Sequence, residues 1–113
     1  MNDSPIDLEN LRKITGGDKD IEDLLLEEFI SSSNKLITEL KENYENENYK
    51  DLKVSLHSLR GICMNLNADH LVELCQAIEK EEIEVLEKVD NFIEGVIEEH
   101  LKITSYIRDN YLK

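Results

Sequence analysis

Asn48 to Leu66 reads NYKDLKVSLHSLRGICMNL. Leu52, Leu56, Leu59, Cys63 and Leu66 recur at spacings of three and four, and at 100° per residue they fall within about 80° of one another. That is the apolar stripe of an amphipathic helix, and the alternation of a strand is absent. His57 lies about 135° from the centre of the stripe and so faces water. Lys53, Arg60, Gly61 and Met64, at −4, +3, +4 and +7 from the histidine, share its face.

The same period extends in both directions. A short helix is predicted over about residues 6–14, with Ile6, Leu8, Leu11 and Ile14 apolar, closed by Gly16-Gly17. A second runs from an Asp18 cap to about 45, with Ile21, Leu25, Phe29, Leu36, Leu40 and Tyr44 as its stripe, thickened by Leu24 and Ile37. The third covers about 48–66 and the fourth about 69–81. The last covers about 83–111, with Leu86, Val89, Ile93, Val96, Ile103 and Ile107 on one face. Gly95 falls inside it at a cost of about 1 kcal/mol relative to alanine, which allows a bend there. Pro5 is the one proline, so little interrupts these segments. The expectation is an all-α chain, residues 1–113 forming a single domain: an antiparallel four-helix bundle with an additional short N-terminal helix as a lid. The Glu-rich runs around Glu79–Glu87 and Glu94–Glu99 read as solvated helix faces.

With 113 residues the chain can bury one core without covalent staples. It carries 26 acidic and 13 basic residues, a formal charge of −13. Such a charge repels phosphate backbones and anionic lipid, so neither nucleic acid nor a membrane is expected as a partner. The longest apolar run is Leu24-Leu25-Leu26, and the opening MNDSPIDLEN lacks the basic and apolar regions of a signal peptide. Cys63 and Cys75 sit in apolar patterns without a CxxC, which reads as two buried thiols in a reducing, cytoplasmic setting. No metal site is expected: Val54, Asn67 and Ile97 stand three residues before the three histidines, so the Glu-x-x-His pairs of a di-iron bundle are missing. His70 reads as a surface residue near a cap, and His100 as a satisfied group at the edge of the core.

The face of the third helix is unusual for a solvated one. Gly61 stands in mid-helix, where an exposed alanine would be more stable. Residues 50–66 hold Lys50, Lys53 and Arg60 against Asp51, a balance of +2, which leaves −15 for the remainder. His57 stands between two of those cations, which disfavours protonation and preserves the nucleophilic neutral ring. Taken singly, an exposed histidine usually does nothing, a helical glycine can reflect close packing, and residues 11–19 and 100–113 are also net positive. Together they suggest a nucleophile with phosphate-binding cations and a cleared approach.

From His57 to Glu79 the sequence HSLRGICMNLNADHLVELCQAIE resembles the signature of histidine phosphotransfer (HPt) domains, roughly H-x-L-K/R-G-x-x-x-N-L/I-G-A-x-x-L-x-x-L-C-x-x-L-E. It matches at His57, Leu59, Arg60, Gly61, Asn65, Leu66, Ala68, Leu71, Leu74, Cys75 and Glu79. IDLENLRKITGGDKDIEDLLLEEF is similar to the family's opening helix and GGD turn. Ile62 and Cys63 replace the usual small residues after the glycine. Asn67 replaces the usual glycine at the end of the helix, a mild change because asparagine also adopts the left-handed cap.

The resemblance implies that His57 accepts a phosphoryl group, on Nε2 in the family, from the phospho-aspartate of a receiver domain and passes it to another receiver. Arg60 and then Lys53 would face the phosphoryl oxygens, while Gly61 and Met64 would serve access and docking. The implied partners are response-regulator receiver domains or a hybrid histidine kinase. The chain binds no cofactor, Mg2+ being expected on the receiver, and as a carrier it is not an enzyme. No phosphate-cradling glycine loop is present, so a kinase site is not expected. The main alternative is a module of the same fold that binds a receiver or kinase with His57 unused. A dimerising kinase helix pair is a third reading, but HSLRG lacks the acidic, threonine and proline residues that would follow its histidine. The carrier reading expects a monomer.

Overall fold

The computed structural model describes residues 4–86 and 91–112. Six helices follow one another: α1 (Glu9–Thr15), α2 (Lys19–Glu45), α3 (Tyr49–Met64), α4 (Asp69–Glu79), α5 (Ile83–Leu86) and α6 (Asn91–Asn110). Among the described residues there is no strand. α2, α3, α4 and α6 form an antiparallel four-helix bundle, in which α3 packs most closely on α4 and α2, and α4 in turn on α6. α1 lies across α2. The stretch 83–111, expected as one helix, holds two described helical pieces, and Glu87 and Val89 lie outside the described residues. α6 runs through Gly95 as one helix.

Local chemistry sets the helix ends. Gly16 and Gly17 take φ values of 65° and 85°, closing α1 in the left-handed region that L side chains avoid. Asp18 then caps α2, its carboxylate accepting from the backbone N–H of Asp20 and Ile21. The joint from α3 to α4 turns at Asn67, φ 50°. Its side chain does more than tolerate that backbone. Oδ1 accepts from Asn10 Nδ2 at 2.9 Å, and Nδ2 donates to the Asp7 carbonyl at 3.3 Å. The Asp7 N–H also donates to the Leu66 carbonyl. Asn67 therefore straps the N-terminal segment to the end of α3, which glycine could not do.

The core agrees with the α3 stripe throughout: Leu52, Leu56, Leu59, Cys63 and Leu66 are all buried. On α2 the stripe is rotated. The buried positions are Glu22, Leu26, Phe29, Ile30, Ser33, Ile37 and Leu40, whereas Ile21 and Leu24 are exposed. Two polar residues take inward places because each finds a partner there. Glu22 is paired with Arg12 Nε at 2.7 Å, and Ser33 receives His100 at 2.8 Å. Apolar periodicity alone does not register them. Likewise Ile14 of α1 is 73% exposed although it was expected in the lid's apolar face. Among the described residues no helix is long and apolar enough to cross a membrane.

Candidate functional site

α3 turns its outer face to solvent at His57, whose side chain is 70% exposed. One turn on, a Cβ added to Gly61 would meet no atom within 4 Å, so this glycine serves no helix packing and leaves open space beside the ring. Met64, a further turn along, is 53% exposed. The face expected from the wheel is therefore exposed, with its glycine gap intact.

α4 adds what the wheel of α3 could not contain. Glu79, the last residue of α4, reaches across to α3 with its side chain largely covered. Its Oε2 accepts from Arg60 Nε at 2.8 Å, and its Oε1 accepts from Arg60 Nη2 at 3.3 Å. His57 Nδ1 lies 3.1 Å from Oε1 of the same carboxylate and 2.7 Å from Arg60 Nη2. Nδ1 cannot donate to the carboxylate and accept from the guanidinium at once, so two tautomers compete. With the proton on Nδ1 and given to Glu79, Nε2 carries a free lone pair. With Nδ1 accepting from Arg60, Nε2 carries the proton and is not nucleophilic. In both, Nδ1 is engaged and Nε2 is the nitrogen left to the solvent side.

The two cations named from sequence are both in place and both occupied. Arg60 is bound to Glu79, and that hydrogen bond holds its guanidinium above its ordinary pKa. Lys53 donates its ammonium to the backbone carbonyl of Glu81. The expectation of a ring flanked by cations alone needs correction, since a carboxylate sits against Nδ1. The reading of the Glu79–Glu87 run as a solvated face is corrected at the same residue. A wheel drawn for one helix holds no information about what the facing helix offers. The terminal Glu of the HisxLeuArgGly…Glu pattern was the one signal for it in the sequence.

Leu11, Ile14, Leu25, Phe29, Ile62 and Leu66 line an open apolar cleft between α1, α2 and the end of α3. Leu24 of α2 is 65% exposed. Ile62, which departs from the family's small residue, lies in this cleft.

Cys63 and Cys75 are free and buried, and burial pushes both thiols up, Cys75 to about 12, so neither ionises readily. His70 is exposed at the start of α4. His100 is buried on α6 and hydrogen-bonded to Ser33. Among the described residues no three His, Cys, Asp or Glu side chains gather as metal ligands.

Comparison with known families gives one match: the family model described as Hpt domain covers residues 24–101, from α2 into α6. None of the curated proteins and none of the solved structures matches the chain.

Proposed function

The chain belongs to the Hpt domain family, whose members carry phosphoryl groups in two-component signalling and interact with receiver domains and kinases, and on that premise we propose that His57 is its phosphoryl acceptor. The observation that carries this reading is the single open nitrogen. Nδ1 is held by Glu79 and Arg60, while the side chain is 70% exposed and the turn that follows it is left open at Gly61.

In the tautomer bonded to Glu79, the Nε2 lone pair attacks the phosphorus of an aspartyl phosphate. The N–P bond forms, the P–O bond to the aspartyl carboxylate breaks, and the carboxylate leaves with the electron pair. The ring keeps its Nδ1 proton and becomes cationic, a charge that the Glu79 carboxylate stabilises. The incoming phosphoryl oxygens draw Arg60 Nη2 off Nδ1, which removes the interaction favouring the unreactive tautomer. Positioning and charge stabilisation supply the catalysis, because the transition state is loose. Mg2+ and the aspartate belong to the receiver. The carrier itself acts as a monomer in the cytoplasm and turns over no substrate of its own.

The apolar cleft between α1, α2 and the end of α3 supports approach of a receiver from that side. Gly61, Met64, Ile14 and Leu24 then lie in the contact. Mixing the protein with a phosphorylated receiver domain and Mg2+ tests the reading: wild type gains acid-labile phosphate and His57→Gln gains none. Labelling of His57→Gln would overturn the assignment. A wild-type protein that binds the receiver yet stays unlabelled would point instead to a binding module with His57 unused.

A further inference from the structure

With Arg60 clasped by Glu79 and Lys53 tied to a carbonyl, we propose that Lys80 is the cation that first takes hold of the phosphoryl group at His57, an inference that rests on the function proposed above. Lys80 follows Glu79 directly and lines one small cleft with Gln76 and with Arg60 and Glu79, the two side chains that touch the imidazole. Its backbone is fixed as the cap of α4, with its N–H donating to the carbonyls of Gln76 and Ile78. Its side chain is exposed, and its ammonium has no hydrogen bond or ion pair among the described residues. A fixed root and a free four-carbon stem give a mobile point charge beside the Arg60–Glu79 pair that holds the ring.

The charge balance requires such a group. Arg60 and Glu79 cancel one another, so the resting pair offers little net attraction to an arriving phosphoryl group. Phosphorylation then adds roughly two negative charges next to the Glu79 carboxylate. Lys80 needs to break no contact to meet that charge, whereas Arg60 must leave a two-point bond to a carboxylate. Lys80 thus captures the group first, and Arg60 follows as the phosphoryl oxygens draw it off Nδ1, before the N–P bond forms. The plain alternative is a solvated lysine that complements the C-terminal dipole of α4.

The two roles separate with potassium phosphoramidate, a small donor that needs no docking surface. The Nε2 lone pair forms the N–P bond, the donor's P–N bond breaks, and ammonia leaves. Lys80→Gln is expected to slow labelling about twofold to fivefold, the range for an exposed ion pair, and Lys80→Arg to restore it. Lys102→Gln, an equal change of net charge on α6 in a different cleft with Asp69 and His70, is expected to leave the rate unchanged. The 31P titration of the phosphoprotein gives a second readout. A neighbouring ammonium favours the phosphoryl dianion, so Lys80→Gln raises the midpoint of its second ionisation and Lys80→Arg does not. Wild-type rate and midpoint in Lys80→Gln, or equal effects from Lys102→Gln, would overturn the role of Lys80 while leaving His57 standing. Labelling of His57→Gln, or none in wild type, would overturn both.

Discussion

In the function proposed, the chemistry turns on His57 and on the two side chains, Glu79 and Arg60, that meet its Nδ1. Under the proposed function Glu79 sets the reactive tautomer and offsets the positive charge of the phosphorylated ring, so its carboxylate is worth more than its volume. Glu79→Gln keeps the shape and can still accept one hydrogen bond, but it loses the charge. Hydrogen bonds to charged groups are worth about 1.5–3 kcal/mol, so transfer from a receiver should fall by about tenfold or more in single-turnover labelling, with binding of the receiver unchanged. At Asn67 a different kind of residue effect operates. Asn67→Ala keeps a side chain in the left-handed region without the two bonds to Asn10 and Asp7. We expect a loss of about 1–3 kcal/mol in urea unfolding, with Asn67→Gly losing less because glycine removes the backbone strain. His57, Arg60 and Gly61 were legible from their spacing. Glu79 was legible only as the end of a family pattern, because 22 residues separate it from His57 and the packing of α4 on α3 closes that distance.

At the level of elements, α3 is the one whose reading from sequence needed least revision. It has a single dominant direction of burial, towards α4 and α2, and apart from Ser55, which accepts from Asn43, its polar residues fall outside that stripe. Gly61 lies on the face proposed to meet the receiver. Because a Cβ there meets open space, Gly61→Gln should leave the bundle folded and even stabilise it slightly, by up to about 1 kcal/mol from helix propensity. Phosphoramidate should still label His57 in that variant, while transfer from a receiver should be lost, since the longer side chain fills the approach. Normal receiver transfer would remove the steric argument. α2 shows why periodicity can mislead. It faces α1 on one side and α3 and α6 on another, so its buried residues form a rotated stripe that includes Glu22 and Ser33, and Ile21 and Leu24 are left outside. Of the exposed apolar residues, Ile14 lines the cleft assigned to the receiver.

Across the whole molecule the bundle carries one titration that couples to stability. His100 of α6 donates its Nε2 proton to the Ser33 hydroxyl of α2, which in turn donates to the Ile30 carbonyl. Burial first, and then Arg108 and Lys41, lower its pKa from 6.5 to about 4. The unfolded chain therefore takes up the proton at higher pH than the folded one. The stability held by the neutral ring is complete above about pH 6.5 and is lost as the pH falls through about 4. A shift of that size corresponds to about 3 kcal/mol. Urea midpoints should decline between pH 7 and 5 in wild type and decline less in His100→Gln, which keeps a hydrogen bond to Ser33 without the titration. Parallel declines in the two proteins would show that other groups govern that range.

The sequence by itself determined the helices, the exposure of His57 and the open turn at Gly61. Those properties depend on periods of three and four along one stretch of chain, and each helix carries its own period. Only the tertiary structure decided that Glu79 would close on Arg60 and His57, that Lys53 would be tied to a carbonyl, and that Ser33 and His100 would share a proton in the core. Each of these joins groups on different elements. Their partners are fixed by how the helices rotate and slide against one another, a balance of the whole core's packing that no single stretch of sequence contains.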